Sequence, residues 1–218
     1  MWITDLTPKG KRQTIVWIDG EPAGFLDNRE VSAYRLSVDS EIDEAGWDRI
    51  VKDSILPRGK RKALELLQLQ DRTTKELHDK LVAGDYTEAQ TWEIIAYVAS
   101  FRYIDEQRYA MNYIRSHVKT KSVREMRQTL LQRGVSAEIF ETAYEKFAQE
   151  SADGEQESES PELIAARRFA ERRVRGGSLS YEARTKLYAA LARKGFSQDT
   201  IRSVLEEYPG EDADGDQE

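Results

Sequence analysis

The spacing of apolar residues divides the chain into two regimes. Thr14-Ile15-Val16-Trp17-Ile18 is a β-branched and aromatic run that stops at Asp19-Gly20 and resumes from Glu21 to Leu26. Asp-Gly between two such runs predicts a hairpin, because a type I′ turn needs φ > 0 at both central residues. Met1 to Leu6 predicts a third strand beyond the Lys9-Gly10-Lys11-Arg12 turn. Two short helices follow, one around Arg29–Leu36 and one over Asp43–Ile55 that Pro57 stops. Residues 1–57 therefore read as a small α+β module with a β-hairpin.

From Arg58 onward the period lengthens to that of amphipathic helices. Thr73 with Glu76, Thr87 with Gln90 and Ser122 with Glu125 each form the capping-box pattern. Pro161 behind Ser160 sits where a first-turn proline belongs. Gly134 and Gly195 follow helical runs as C-terminal caps, and Gly176-Gly177 ends another helix. Nine helices result, in groups of three.

The groups repeat. Leu130-Leu131-Gln132-Arg133-Gly134-Val135-Ser136 matches Leu191-Ala192-Arg193-Lys194-Gly195-Phe196-Ser197 at a constant offset of 61, and beyond it Phe140 falls on Ile201 and Ala143 on Val204. Leu81-Val82-Ala83-Gly84-Asp85-Tyr86-Thr87 is a weaker copy with one residue inserted after the glycine. Stacked units of this kind bury a continuous core. The expected organisation is a module at 1–57, repeats at 58–102, 103–149 and 161–208, an acidic linker at 150–160 and a disordered acidic tail at 209–218.

Charge refines this picture. The net charge is −7, with 40 acidic and 33 basic side chains. Yet 149–162 holds six acids and no Lys or Arg, and 209–218 holds five, again with no base. The rest of the chain carries +4. The helical two-thirds is basic, and the acid sits in linker and tail, where a solubilising spacer and a DNA mimic are both open readings. The chain has no Cys, which excludes disulfides, thiolate metal sites and a cysteine nucleophile, and which fits a cytoplasmic setting. The first residues lack a secretory leader pattern, and no apolar run is long enough to span a membrane.

In Tyr103-Ile104-Asp105-Glu106-Gln107-Arg108-Tyr109-Ala110, in Ala63-Leu64-Glu65-Leu66-Leu67, in Thr74-Lys75-Glu76-Leu77 with Leu81, and in Leu130 to Gly134, the sequence resembles the RecX family, regulators of the bacterial RecA recombinase. The resemblance covers about residues 58–208, and the hairpin region is similar to an N-terminal extension of some members. It implies a mostly α fold: three tandem three-helix repeats in an elongated, curved array that binds the RecA filament on single-stranded DNA and limits its ATPase and strand exchange. It also implies a place in recombination, DNA repair and the SOS response. The chain departs from the family pattern at Lys119-Thr120-Lys121-Ser122, where a glycine-containing basic turn is usual, and in its long acidic linker.

Two basic clusters are the candidate contacts for partner and DNA. One is Arg167, Arg168, Arg172, Arg173 and Arg175, of which Arg168, Arg172 and Arg175 share a helical face. Guanidinium forks suit carboxylates and phosphates equally. The other reading is a solvated face paired with Glu171 or the acidic linker. The second cluster is Arg115, Lys119, Lys121, Arg124 and Arg127, about a turn where a phosphate could also use the helix N-terminus at Ser122. A plain basic surface turn is the alternative. Tyr103, Tyr109, Tyr113, Tyr181 and Tyr188 interleave with these bases, as stacking platforms for single strands or as packing; Tyr109 and Tyr113 are expected on the packed side.

His78 and His117 lie 39 positions apart without metal-site spacing. Phosphate-loop, His-Glu-x-x-His and Gly-x-Ser-x-Gly motifs are absent from the sequence. The expectation is a monomeric, non-enzymatic protein without cofactor or metal. Its partners are the RecA filament and single-stranded or double-stranded DNA, with no membrane. A stand-alone DNA-binding module and a scaffold for another protein are the competing functions.

Overall fold

The computed structural model describes residues 1–152, 159–174 and 179–209. The chain is mostly helical, with a small antiparallel sheet at its N-terminal end followed by tandem helices, and it divides into two compact units, Met1–Asp105 and Glu106–Glu218.

In the first unit β1 (Trp2–Lys9), β2 (Gln13–Ile18) and β3 (Glu21–Asp27) form a meander. A short β4 (Ser40–Glu41) pairs with β1, giving the order β3-β2-β1-β4. Asp19 and Gly20 have φ of 51° and 87°, both positive as the hairpin turn requires. Helix α1 covers Asn28–Ala33 and α2 Glu44–Ile50.

Pro57 does not stop α2. The helix runs on through a π-helical stretch, Val51–Ile55, into α3 (Leu56–Leu69), with Pro57 in the first turn of α3. A proline breaks a helix by withholding an N–H and crowding the preceding carbonyl. Here it falls where the wider π turn hands over to α geometry, and there the missing donor disrupts no regular ladder.

Helices α4 (Thr74–Val82) and α5 (Glu88–Ser100) complete the first repeat. One apolar core serves sheet and helices alike, from Ile3, Val16 and Leu26 through Ile55 and Leu56 to Leu77, Leu81 and Ile94. Gly59 permits the close approach of α3 and α5, since a Cβ there would collide with the Ile94 side chain.

The second unit holds α6 (Glu106–His117), α7 (Val123–Gln132) and α8 (Ala137–Ala152), then α9 (Pro161–Glu171), α10 (Tyr181–Lys194) and α11 (Gln198–Glu206). Each triplet has its own core: Ile114, Met126, Leu130 and Phe140 in the former, Ala166, Leu191, Ile201 and Val204 in the latter.

The structure revises the register of the first repeat. Gly134 and Gly195 have φ of 90° and 83°, but in the first repeat Asp85, not Gly84, takes the left-handed position, at φ 69°. The N–H of the next residue bonds back five positions in all three copies: Tyr86 to Leu81, Val135 to Leu130 and Phe196 to Leu191. No residue is inserted. Asp85-Tyr86-Thr87 aligns with Gly134-Val135-Ser136 at an offset of 49, with an aspartate tolerated where glycine is favoured.

Candidate partner and nucleic-acid interface

The second and third repeats meet where the N-terminus of α7 abuts the C-terminus of α10. Ser122 caps α7 by accepting the Glu125 N–H (3.1 Å), and its own hydroxyl donates to the Lys194 carbonyl (2.5 Å), one of the acceptors that α10 leaves unpaired. Ser122 is fully buried. Positive and negative helix ends thus face each other. Glu125 turns towards Lys194 Nζ, 3.2 Å away. Gly195 lies against Arg124: a Cβ there would sit 2.6–3.0 Å from Arg124 Cβ, Cγ and Cδ. At the α7 N-terminus, where the sequence offered a place for a phosphate, Ser122 meets a carbonyl of the chain itself.

The sequence-predicted cations separate into held and available groups. Arg167 is held: Nε and Nη2 donate to the two Glu207 oxygens at 2.7 and 2.6 Å, and Nη1 donates to Glu159 at 2.6 Å. These bonds push its already high pKa further up. Arg115 donates to Glu150 (2.6 Å) and Arg127 to Glu141 (2.8 Å). Lys121 donates to the Tyr113 hydroxyl at 2.8 Å.

Lys119, Arg124, Arg168, Arg172 and Arg173 remain exposed, and among the described residues none has a carboxylate within ion-pair distance. Arg168 approaches the Lys119 carbonyl at 3.4 Å, which brings the two predicted clusters together across the junction. The Arg173 guanidinium lies 3.7 Å above the Phe169 ring. Arg175 lies outside the described residues, as do 153–158 of the acidic linker and 210–218 of the tail.

Sequence reasoning missed Arg193, Lys194 and Gln128. With Glu125, Phe169, Arg173 and Ala190 they line an open cavity of about 350 Å³. The offset of 61 was a usable signal, since it sets Arg193-Lys194 on the last turn of a helix whose end must pack somewhere. Tyr109 and Tyr113 are buried as expected, whereas Tyr103, Tyr181 and Tyr188 are exposed. His78 is flanked by Glu88 (2.8 Å) and Asp79 (3.5 Å), and the hydrogen bond that its Nε2 donates to Glu88 raises its pKa. Among the described residues no group of His, Asp and Glu is placed to hold a metal ion, and no helix is long and apolar enough to cross a membrane.

Two family models match this unit: "RecX, second three-helix domain" over residues 105–143 and "RecX, third three-helix domain" over 162–205. The first match takes in α6, α7 and the first half of α8, and the second the triplet α9 to α11. Both helix triplets of the second unit thus match RecX family models. Among RecX relatives, the "Regulatory protein RecX" of Bacillus cytotoxicus is 29% identical over 220 residues, covering 98% of this chain and 78% of that protein. The one from Clostridium botulinum strain Eklund 17B is 22% identical, covering 93% of each. Among solved structures, a crystal structure of regulatory protein RecX superposes with a TM-score of 0.59 at 21% identity, covering 94% of this chain and 98% of the other, and supports the fold. The RecX of Lactobacillus salivarius superposes with 0.53 at 28% identity, covering 70% of this chain and 95% of the other.

Proposed function

We propose that this protein is a non-enzymatic regulator of the RecX family that binds the RecA filament on single-stranded DNA and lowers its ATP hydrolysis and strand exchange. It acts as a cytoplasmic monomer. The observation that carries the reading is the set of exposed guanidinium groups, Arg124, Arg168, Arg172 and Arg173, on either side of the junction at which Ser122 meets the Lys194 carbonyl. Such a surface has donors to spare for carboxylates of a filament subunit and phosphates of the DNA inside it. The name of the relatives, regulatory protein RecX, supports the regulatory part.

The test is ATP hydrolysis by RecA on single-stranded DNA, with this protein added far below one copy per RecA subunit. A fall in rate is expected, because coating of bulk DNA cannot act substoichiometrically. Replacing Arg168, Arg172 and Arg173 together by Glu should abolish the fall. An unchanged rate together with tight binding to naked DNA would overturn the reading in favour of a stand-alone DNA-binding module.

A further inference from the structure

The first unit carries a basic surface that the regulatory reading does not use. The Lys9–Arg12 turn between β1 and β2 is fixed to the start of α1. Asn28 N–H donates to the Arg12 carbonyl (2.9 Å), Asn28 Nδ2 donates to the Lys11 carbonyl (3.4 Å), and Thr14 Oγ1 donates to Asn28 Oδ1 (3.0 Å). This clamp sets Lys11, Arg12 and Arg29 around one open cavity. A second cavity, of about 320 Å³, has Arg61, Lys62 and Lys80 in its wall, and the two share Gln13.

Lys11, Arg12, Arg29, Arg61 and Lys80 are all exposed, and among the described residues none of them has a carboxylate within ion-pair distance. Asp27, the carboxylate in the first cavity, is engaged by Gln13 at 3.2 Å and Arg58 at 3.6 Å. Glu65, the carboxylate in the second cavity, lies 3.9 Å from Lys62, so five cations without an ion-pair partner remain over the two adjoining cavities and fit a ligand that repeats its negative charge. A single anion would need one convergent pocket instead.

We propose that unit Met1–Asp105 holds a groove for the phosphodiester backbone of nucleic acid, running past Gln13 from the β1–β2 turn to the start of α3 and the end of α4. Backbone recognition of this kind needs cations and hydrogen-bond donors and no apolar anchor. The aromatic side chains in the walls, Phe25 and Tyr86, are buried in the core and offer a protein partner little to grip. An acidic protein segment is therefore the less suitable occupant. The groove is independent of the filament reading, and its test needs no recombinase.

The test uses the full chain and fluorescein-labelled oligo-dT of roughly 20 nucleotides, with binding followed by anisotropy between about 50 and 200 mM salt. Arg12→Gln with Arg29→Gln, and separately Arg61→Gln with Lys80→Gln, should each weaken binding several-fold. Each pair should also flatten the log–log salt slope by about 1.4, since a single strand contributes roughly 0.7 per neutralised phosphate. All four side chains are exposed, so thermal melting should stay unchanged and report intact folding. Arg12→Lys with Arg29→Lys should keep the slope. Unchanged affinity and slope in both Gln pairs would overturn the proposal. So would displacement of the oligonucleotide by polyglutamate at equal charge concentration, which would assign the groove to acidic protein.

Discussion

Ser122→Ala removes one oxygen atom and two hydrogen bonds. The first is a helix N-cap, whose loss costs about 1 kcal/mol. The second is different in kind. The hydroxyl is fully buried against the Lys194 carbonyl, so its removal leaves that acceptor unpaired at a closed junction, at a cost of about 1–3 kcal/mol. The sum is roughly 2–4 kcal/mol. Two variants separate the terms. Ser136 caps α8 by accepting the Ile139 N–H at 3.2 Å from an exposed position, so Ser136→Ala should cost about 1 kcal/mol. Ser122→Gly keeps a tolerated cap residue, because glycine costs only a few tenths there, and so loses chiefly the bond to Lys194. The assay is urea unfolding followed by circular dichroism, paired with hydrogen exchange over 119–127 and 191–197. Ser122→Ala should lower the transition of the second unit at least twice as far as Ser136→Ala and speed exchange in both segments. Equal losses for Ser122→Ala and Ser136→Ala, with exchange faster in 119–127 only, would refute the junction bond.

Further perturbations separate neighbouring residues. Arg167→Met should destabilise the second unit by about 1–2 kcal/mol in the same urea assay, because it breaks a bidentate pair to Glu207, whereas Arg172→Ala should change stability by under about 0.5 kcal/mol. His78 has its folded pKa raised above the ordinary 6.5 by Glu88, so its contribution is present in full below that value and fades as pH rises through the folded pKa. Melting temperatures of the wild type and His78→Gln should therefore differ more at acidic than at alkaline pH. Asp85→Gly should stabilise the first unit by about 0.5 kcal/mol, since relief of left-handed strain outweighs an exposed pair with Lys9; a loss larger than about 1 kcal/mol in thermal melting would show that the pair dominates.

What the sequence revealed was local. Asp19-Gly20 announced its turn because the φ requirement and the residue preference lie within two positions. Gly134, Gly195 and the caps at Thr73, Thr87 and Ser122 were legible for the same reason. Asp85 was not, because Gly84 beside it looked the better left-handed residue. Pro57 misled because a π turn leaves no periodic mark of its own. The sorting of arginines was out of reach from sequence. Arg167 and Arg172 look alike in the chain, yet the carboxylate that holds Arg167 lies 40 positions away, and the carbonyl that Ser122 meets lies 72 away. Contacts at that range are set by how helices stack, and helix pattern is silent about it.

The separate cores of the second and third repeats have a thermal consequence. Apart from Gly195 against the Arg124 methylenes, the described contacts between them, Ser122 to Lys194, Lys194 to Glu125 and Arg168 to Lys119, are polar, and water can replace each of them once the junction opens. Opening this junction would expose little apolar surface, so its heat-capacity change should be small, unlike that of unfolding either core. The strength of the joint then varies little with temperature and responds to ionic strength instead. A change of salt can loosen the two repeats from each other while each stays folded.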